Sequence, residues 1–189
     1  MTKRDMAKDQ KEKVLPRYKD KLMGIPVVLL NAAIDCTHGG ERGVVVPDIN
    51  ALESAIALAR VTVSHKLSGI EVKHLRKAIG EKANKIAEFL DMTPEHYSRL
   101  ENGGTLATNA ERIFRLRVAH SLRNKAKGVI AKDDDILDMT FLPFRPSLEP
   151  VTLVFERLFV LDEGQPRQIW HFVGVDTAQE SPRTLKVVA

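Results

Sequence analysis

The alternation of apolar and polar positions divides this chain into four stretches. From Met1 to Lys21, Lys, Asp, Gln and Glu are mixed with almost no apolar periodicity, which predicts a flexible charged arm. From Ile25 to Ile34 the run Ile-Pro-Val-Val-Leu-Leu-Asn-Ala-Ala-Ile is apolar and β-branched. Thr37-His38-Gly39-Gly40-Glu41 then carries turn chemistry ahead of Val44-Val45-Val46-Pro47, and together these predict a β-hairpin. Asp48 can cap a following helix whose apolar positions Ile49, Leu52, Ile56 and Ala59 recur at three- and four-residue spacing.

The next stretch is helical. Ser68-Gly69-Ile70-Glu71 has the capping-box pattern, and the helix it opens has Ile70, Leu75 and Ile79 as its expected core face and Gly80 as its stop. Ile86, Ala87, Phe89 and Leu90 mark a second short helix, and Asp91-Met92 a break. Thr93-Pro94 combines a cap with proline at the first helical position, and Asn102-Gly103-Gly104 ends that third helix. Thr108-Asn109-Ala110-Glu111 reads as a second capping box before a helix carrying Ile113, Phe114, Leu116, Val118 and Leu122.

Beyond Gly128, Lys132-Asp133-Asp134-Asp135 and the prolines at 143, 146 and 150 form a linker-like stretch. Val151 to Leu161 and Ile169 to Val175, separated by Asp162-Glu163-Gly164-Gln165, predict a second hairpin. The expected fold class is therefore α+β: a central all-α helix-turn-helix domain over residues 66–127, a small N-terminal β-hairpin and helix over 22–65, and a C-terminal β-hairpin extension over 128–189.

Charge changes this picture only when divided. The total is +4 over 189 residues, but residues 1–59 carry +1, residues 60–127 carry +7 and residues 128–189 carry −4. A positive field focused on the helical stretch attracts polyanions through phosphate neutralisation and counterion release, although a solvated helical surface has the same composition. The single cysteine, Cys36, can form no internal disulfide and fits a reducing, cytoplasmic setting. No stretch approaches the length of a membrane span, and the N-terminus lacks the apolar centre of a secretory signal.

Four short helices with tight connections, the third following the second after a break of a few residues, form the helix-turn-helix arrangement. Leu75-Arg76-Lys77 and Ser98-Arg99-Leu100-Glu101-Asn102-Gly103 lie within it. On these phrases the stretch from Leu75 to Gly103 closely resembles the Xre/Cro-type family of DNA-binding repressors. A wider order of elements, from about Val28 to Leu122, looks like the MqsA/YgiT-type antitoxin and regulator group. That group usually carries an N-terminal zinc module of two Cys-x-x-Cys pairs; this chain has Cys36-Thr37-His38-Gly39 where the second pair would lie and no cysteine before it, so no metal and no cofactor are expected.

The third helix has the length to enter a major groove, where Thr93, Glu95, His96 and Arg99 would face base edges while Tyr97 and Leu100 turn inward. Arg99 is the foremost base reader, because its guanidinium fork matches guanine O6 and N7. Expected phosphate contacts are Ser98, Asn102 and the Gly103 amide, and the resemblance implies Arg76 and Lys82 as two more. The resemblance implies an ion pair between Arg76 and Glu101, with Glu101 as structural support, and places Lys82 where the family commonly has a Thr-Gln pair.

Plainer readings stand beside these. Arg99 and Glu95 can be a solvated pair, and His96 an exposed polar residue. Cys36 with His38 lacks the third group and oxyanion site that nucleophilic catalysis requires, and Cys36, His38, His65 and His74 lack zinc-ligand spacing, so no enzyme is expected. Trp170 and Phe172 suit a core or a protein interface. The expectation that follows is a sequence-specific regulator of double-stranded DNA, a homodimeric repressor on a palindromic operator. The alternative is an antitoxin that neutralises a toxin and autoregulates its operon.

Overall fold

In the computed structural model, residues 13–38, 41–123, 143–146, 151–162 and 164–176 are described. The arm before Lys13, the Gly39-Gly40 turn, most of the linker-like stretch and the tail after Asp176 lie outside them. Two strands precede the first expected one: β1 (Lys13–Val14) and β2 (Arg17–Leu22). β2 turns back into β3 (Ile25–Leu30) through Met23 and Gly24, both left-handed with φ of 52° and 74°. Two consecutive left-handed residues match the twist of paired strands and pin the register at Leu22 opposite Ile25. No apolar alternation advertises β2, because only Tyr18 and Leu22 pack inward from its otherwise charged sequence.

The apolar run from Ile25 to Ile34 is not one strand. Asn31, left-handed at φ 49°, breaks it, and the chain re-enters as β4 (Ile34–His38), which pairs with β5 (Glu41–Val45) in a separate three-stranded sheet ordered β1-β4-β5. The second hairpin forms as β6 (Leu153–Asp162) and β7 (Gln165–Val175). It is not a separate extension. β6 lies parallel to β3, with Val27 opposite Leu153 and Leu29 opposite Phe155, giving a mixed four-stranded sheet ordered β2-β3-β6-β7. Trp170 is buried in its core, and Phe172 packs on Phe155 with ring centroids 5.5 Å apart.

This pairing overturns the expected fold class. Among the described residues the chain is α+β with five helices and seven strands in two sheets, and N-terminal and C-terminal strands join into one mixed sheet; there is no central all-α domain between two small independent β units. The physical reason lies in α1 (Ile49–Thr62), which is capped as expected by the Asp48 side chain on the Ala51 amide at 3.3 Å. Leu52, Ala55, Ile56 and Ala59 face the sheet with Ile25, Val27, Leu153, Phe155 and Trp170, whereas Ala57, Leu58 and Val61 face the helices. A helix that is apolar on two sides must be covered on both, so it ties sheet and helices into one body.

The helical layer comprises α2 (Gly69–Ala78), α3 (Ala83–Phe89), α4 (Pro94–Glu101) and α5 (Thr108–Arg123). Ser68 and Glu71 complete the reciprocal capping box, and Gly80 follows with φ 76°. Four apolar assignments change: Ile70 is 54% exposed, and Phe89, Ile113 and Leu116 also face out, while Val72, Leu75, Ile79, Ile86, Ala87, Phe114, Val118 and Leu122 are buried. The second expected capping box does not form. Thr108 is already helical, and the Glu111 carboxylate turns inward to take the Leu67 amide at 2.9 Å.

Candidate nucleic-acid interface

α3 and α4 are joined by Leu90 to Thr93. Asp91 takes a left-handed conformation at φ 54°, which Asp tolerates better than most residues, and the Thr93 hydroxyl caps α4 by accepting the His96 amide at 3.3 Å. Pro94 fills the first helical turn, where no amide hydrogen is needed. The apolar pattern of α4 then buries Tyr97 and Leu100 and leaves Thr93, Glu95, His96, Ser98, Arg99 and Asn102 exposed. Glu95, His96 and Arg99 are therefore exposed on one short helix with Thr93 exposed at its cap, where its hydroxyl is engaged by the His96 amide, and two shallow depressions adjoin the helix. One, of about 300 Å³, is lined by His96, Arg99, Leu100, Gly104 and Thr105; the other, of about 390 Å³, by Asn84, Glu88, Asp91, Met92, Thr93 and Pro94.

Arg76 and Glu101 form a bidentate pair at 2.6 and 3.1 Å, nearly closed to solvent, that bolts α2 to the end of α4. The hydrogen bonds to Glu101 raise the Arg76 pKa further and keep the guanidinium charged. Its remaining terminal nitrogen donates to the Glu81 carbonyl at 2.8 Å, so Arg76 is largely committed within the protein. Tyr97 lies against this pair; burial first, then the Glu101 charge, pushes its phenol pKa well above 10.0. The backbones approach as closely as the side chains allow: Gly69 donates its amide to the Gly104 carbonyl at 2.9 Å, and a Cβ on Gly69 would lie 1.8 Å from the Leu100 carbonyl oxygen.

Other expected contacts are placed differently. The Gly103 amide already donates to the Leu100 carbonyl at 3.2 Å and is spent before any phosphate arrives. Arg99 leans its Nε to the Glu95 carbonyl at 3.4 Å, a long contact with backbone; its fork stays exposed, and no Glu95 carboxylate pairing orients it. Lys82 stands exposed at the start of α3 with no side-chain capping bond. Cys36 is on β4, with its thiol 3.7 Å from the Gly43 carbonyl, far in topology from His65 after α1 and His74 on α2.

A buried ionic junction supports this layer and escaped sequence reasoning. Arg60, fully buried, holds Glu71 at 2.6 and 3.1 Å and donates to the carbonyls of His65 and Lys66. Arg115, also fully buried, holds Glu111 at 2.7 and 3.1 Å and donates to the carbonyls of Val61, Val63 and His65. Its guanidinium carbon lies 4.5 Å from the Phe144 ring centroid. Burial lowers the Arg115 pKa to about 10, with Glu111 opposing that fall. For Glu71 burial acts upward, but the Arg60 charge and hydrogen bonds from Arg60 and Ser68 win, and its pKa falls below 4.5. The two arginines thus clamp the carbonyls of the α1–α2 connection. The available signal was a charged residue inside an apolar run, Arg60 between Ala59 and Val61, and an i,i+4 Glu111/Arg115 pair on a core-facing helix.

No family model, no curated protein and no solved structure matches the chain. Among the described residues, no helix is long and apolar enough to cross a membrane, and no three His, Cys, Asp or Glu side chains gather as a metal site.

Proposed function

We propose that this protein is a transcription regulator that binds double-stranded DNA in a sequence-specific manner, inserting α4 of the α3–α4 helix-turn-helix into the major groove. The observation that carries this reading is the outer face of α4. Thr93, Glu95, His96 and Arg99 project together from a helix whose opposite face is locked by Tyr97, Leu100 and the Arg76–Glu101 pair. Rigid presentation of a few polar side chains on one short helix is what base reading requires. Eight residues of helix offer too few base contacts for useful specificity, so the protein acts as a homodimer on a two-fold operator, as a cytoplasmic repressor.

The test is the affinity of Arg99→Ala for duplexes selected from a random library and for random duplexes. Loss of about 1–3 kcal/mol of discrimination is the expected result. Unchanged discrimination removes Arg99 as a base reader. A second reading, an antitoxin that neutralises a toxin and autoregulates its operon, draws on Val44 and Val45, exposed on the edge strand β5 where a partner strand could add. Co-purification of a second small protein, lost on Val45→Lys, distinguishes it.

A further inference from the structure

Four ion pairs take up much of the charge of the helical layer: Arg60–Glu71, Arg76–Glu101, Arg115–Glu111 and Arg117–Glu81. What they leave is mixed in sign. Glu88, Asp91 and Glu95 are exposed around the α3–α4 turn, with Lys82 and Lys85 exposed at the start of α3. Further lysines lie along α2. At about 3.6 residues per turn, Gly69 and Arg76 share the side of α2 that meets Leu100 and Glu101 of α4, His74 points to the other flank, and Lys73 and Lys77 occupy the strip between.

His74 shows where that other flank leads. Its ring lies against Gly24, where a Cβ would sit 3.0 Å from Cδ2, so the β2–β3 turn abuts α2 and brings the end of β2, with Lys21, beside it. Burial lowers the His74 pKa, and the charges of Lys77, Lys73 and Lys21 lower it further. The charges of three lysines from two distant parts of the sequence therefore act on one imidazole, at the place where the β2–β3 turn meets α2. Among the described residues none of the three forms an ion pair, and Lys21 and Lys77 are exposed.

We propose that Lys21, Lys73 and Lys77 form a phosphate-binding strip that holds the backbone of duplex DNA beside the segment read by α4, making the sheet layer part of the DNA interface. The inference rests on the reading of α4 given above and extends it. Charge complementarity selects the occupant: a strip of cations without ion pairs, next to the side of α2 that meets α4, fits the polyanion that α4 enters. It also supplies what Arg76 and the Gly103 amide, both committed inside the protein, do not.

The experiment compares the full chain with the triple variant Lys21→Gln, Lys73→Gln, Lys77→Gln, and with a triple Lys→Arg variant at the same positions. The probes are a selected duplex of about 30 base pairs and a truncated one of about 12 that retains only the segment read by α4. Each lost phosphate contact removes about 0.9 from the salt slope, so the Gln variant loses about 2.7. Between about 50 and 200 mM salt its affinity then falls about 40-fold less than the parent's on the long duplex. The Arg variant keeps the parental slope, and the difference vanishes on the short duplex. An unchanged slope in the Gln variant, or an equal change on both duplexes, overturns the strip while leaving the Arg99 result standing. Failure of the parent to bind any duplex overturns both readings.

Discussion

Gly69→Ala is the substitution on which the geometry of the helical layer can be judged, because two effects of opposite sign meet there. Gly69 is the first residue of α2, where helix propensity favours alanine by up to about 1 kcal/mol. Packing opposes this. A Cβ would lie 1.8 Å from the Leu100 carbonyl oxygen, 2.9 Å from the Leu100 carbonyl carbon and 3.0 Å from the Gly104 carbonyl oxygen, all of them backbone atoms that no rotamer change can move. Ordinary contact between carbon and oxygen needs about 3.3 Å, so α2 and the end of α4 must part by roughly 1.5 Å.

Overpacking of this kind costs about 1–3 kcal/mol, here at the upper end because both sides are backbone. Stretching the 2.9 Å hydrogen bond from the Gly69 amide to the Gly104 carbonyl adds about 1 kcal/mol. Less the propensity gain, the net loss is about 3 kcal/mol, or a melting point lower by about 6–12 °C. Urea unfolding followed by helical circular dichroism measures it. Gly43→Ala is the control: a Cβ there meets nothing within 4 Å, and its effect should stay within about 0.5 kcal/mol. A Gly69→Ala protein as stable as the parent would refute the close approach of α2 to α4 and, with it, the rigid seating of α4.

Two further outcomes follow from the buried ionic junction. Glu111→Gln leaves the buried Arg115 guanidinium without its counter-charge and should cost about 3–5 kcal/mol in urea unfolding; a loss below about 1 kcal/mol would mean that the carbonyls of Val61, Val63 and His65 suffice to hold Arg115. The second outcome concerns acid. Because the Glu71 pKa is lowered on folding, its contribution is fully present above its ordinary 4.5 and is lost as pH falls through the lower folded value. The parent should therefore lose stability below about pH 4.5, and Glu71→Gln should flatten that limb; parallel acid limbs in the two proteins would rule out the Arg60–Glu71 pair as its source.

The helical layer was the most legible part of the chain, since its signals are local. Ser68 with Glu71, Thr93 with Pro94, and Gly80 each act within a few residues, and all three appear where the sequence places them. The inward turn of Tyr97 and Leu100 and the pairing of Arg76 with Glu101 were anticipated too, the first from helical period and the second from family resemblance. Thr108 and Glu111 show the limit of such signals. The capping pattern is present, but a buried guanidinium and the Leu67 amide offer the carboxylate stronger partners than a solvent-facing cap.

By itself, the sequence determined the helices, the caps of α1, α2 and α4, the tight α3–α4 turn and which side chains of α4 face outward, because helical period and capping chemistry are properties of neighbouring residues. Only the tertiary structure decided that β3 and β6, more than 120 residues apart, lie side by side, that α1 carries two cores, and that the turn at Gly24 abuts His74 of α2. Parallel pairing leaves no turn between its strands to announce it, and an electrostatic surface is assembled by whatever the fold brings together.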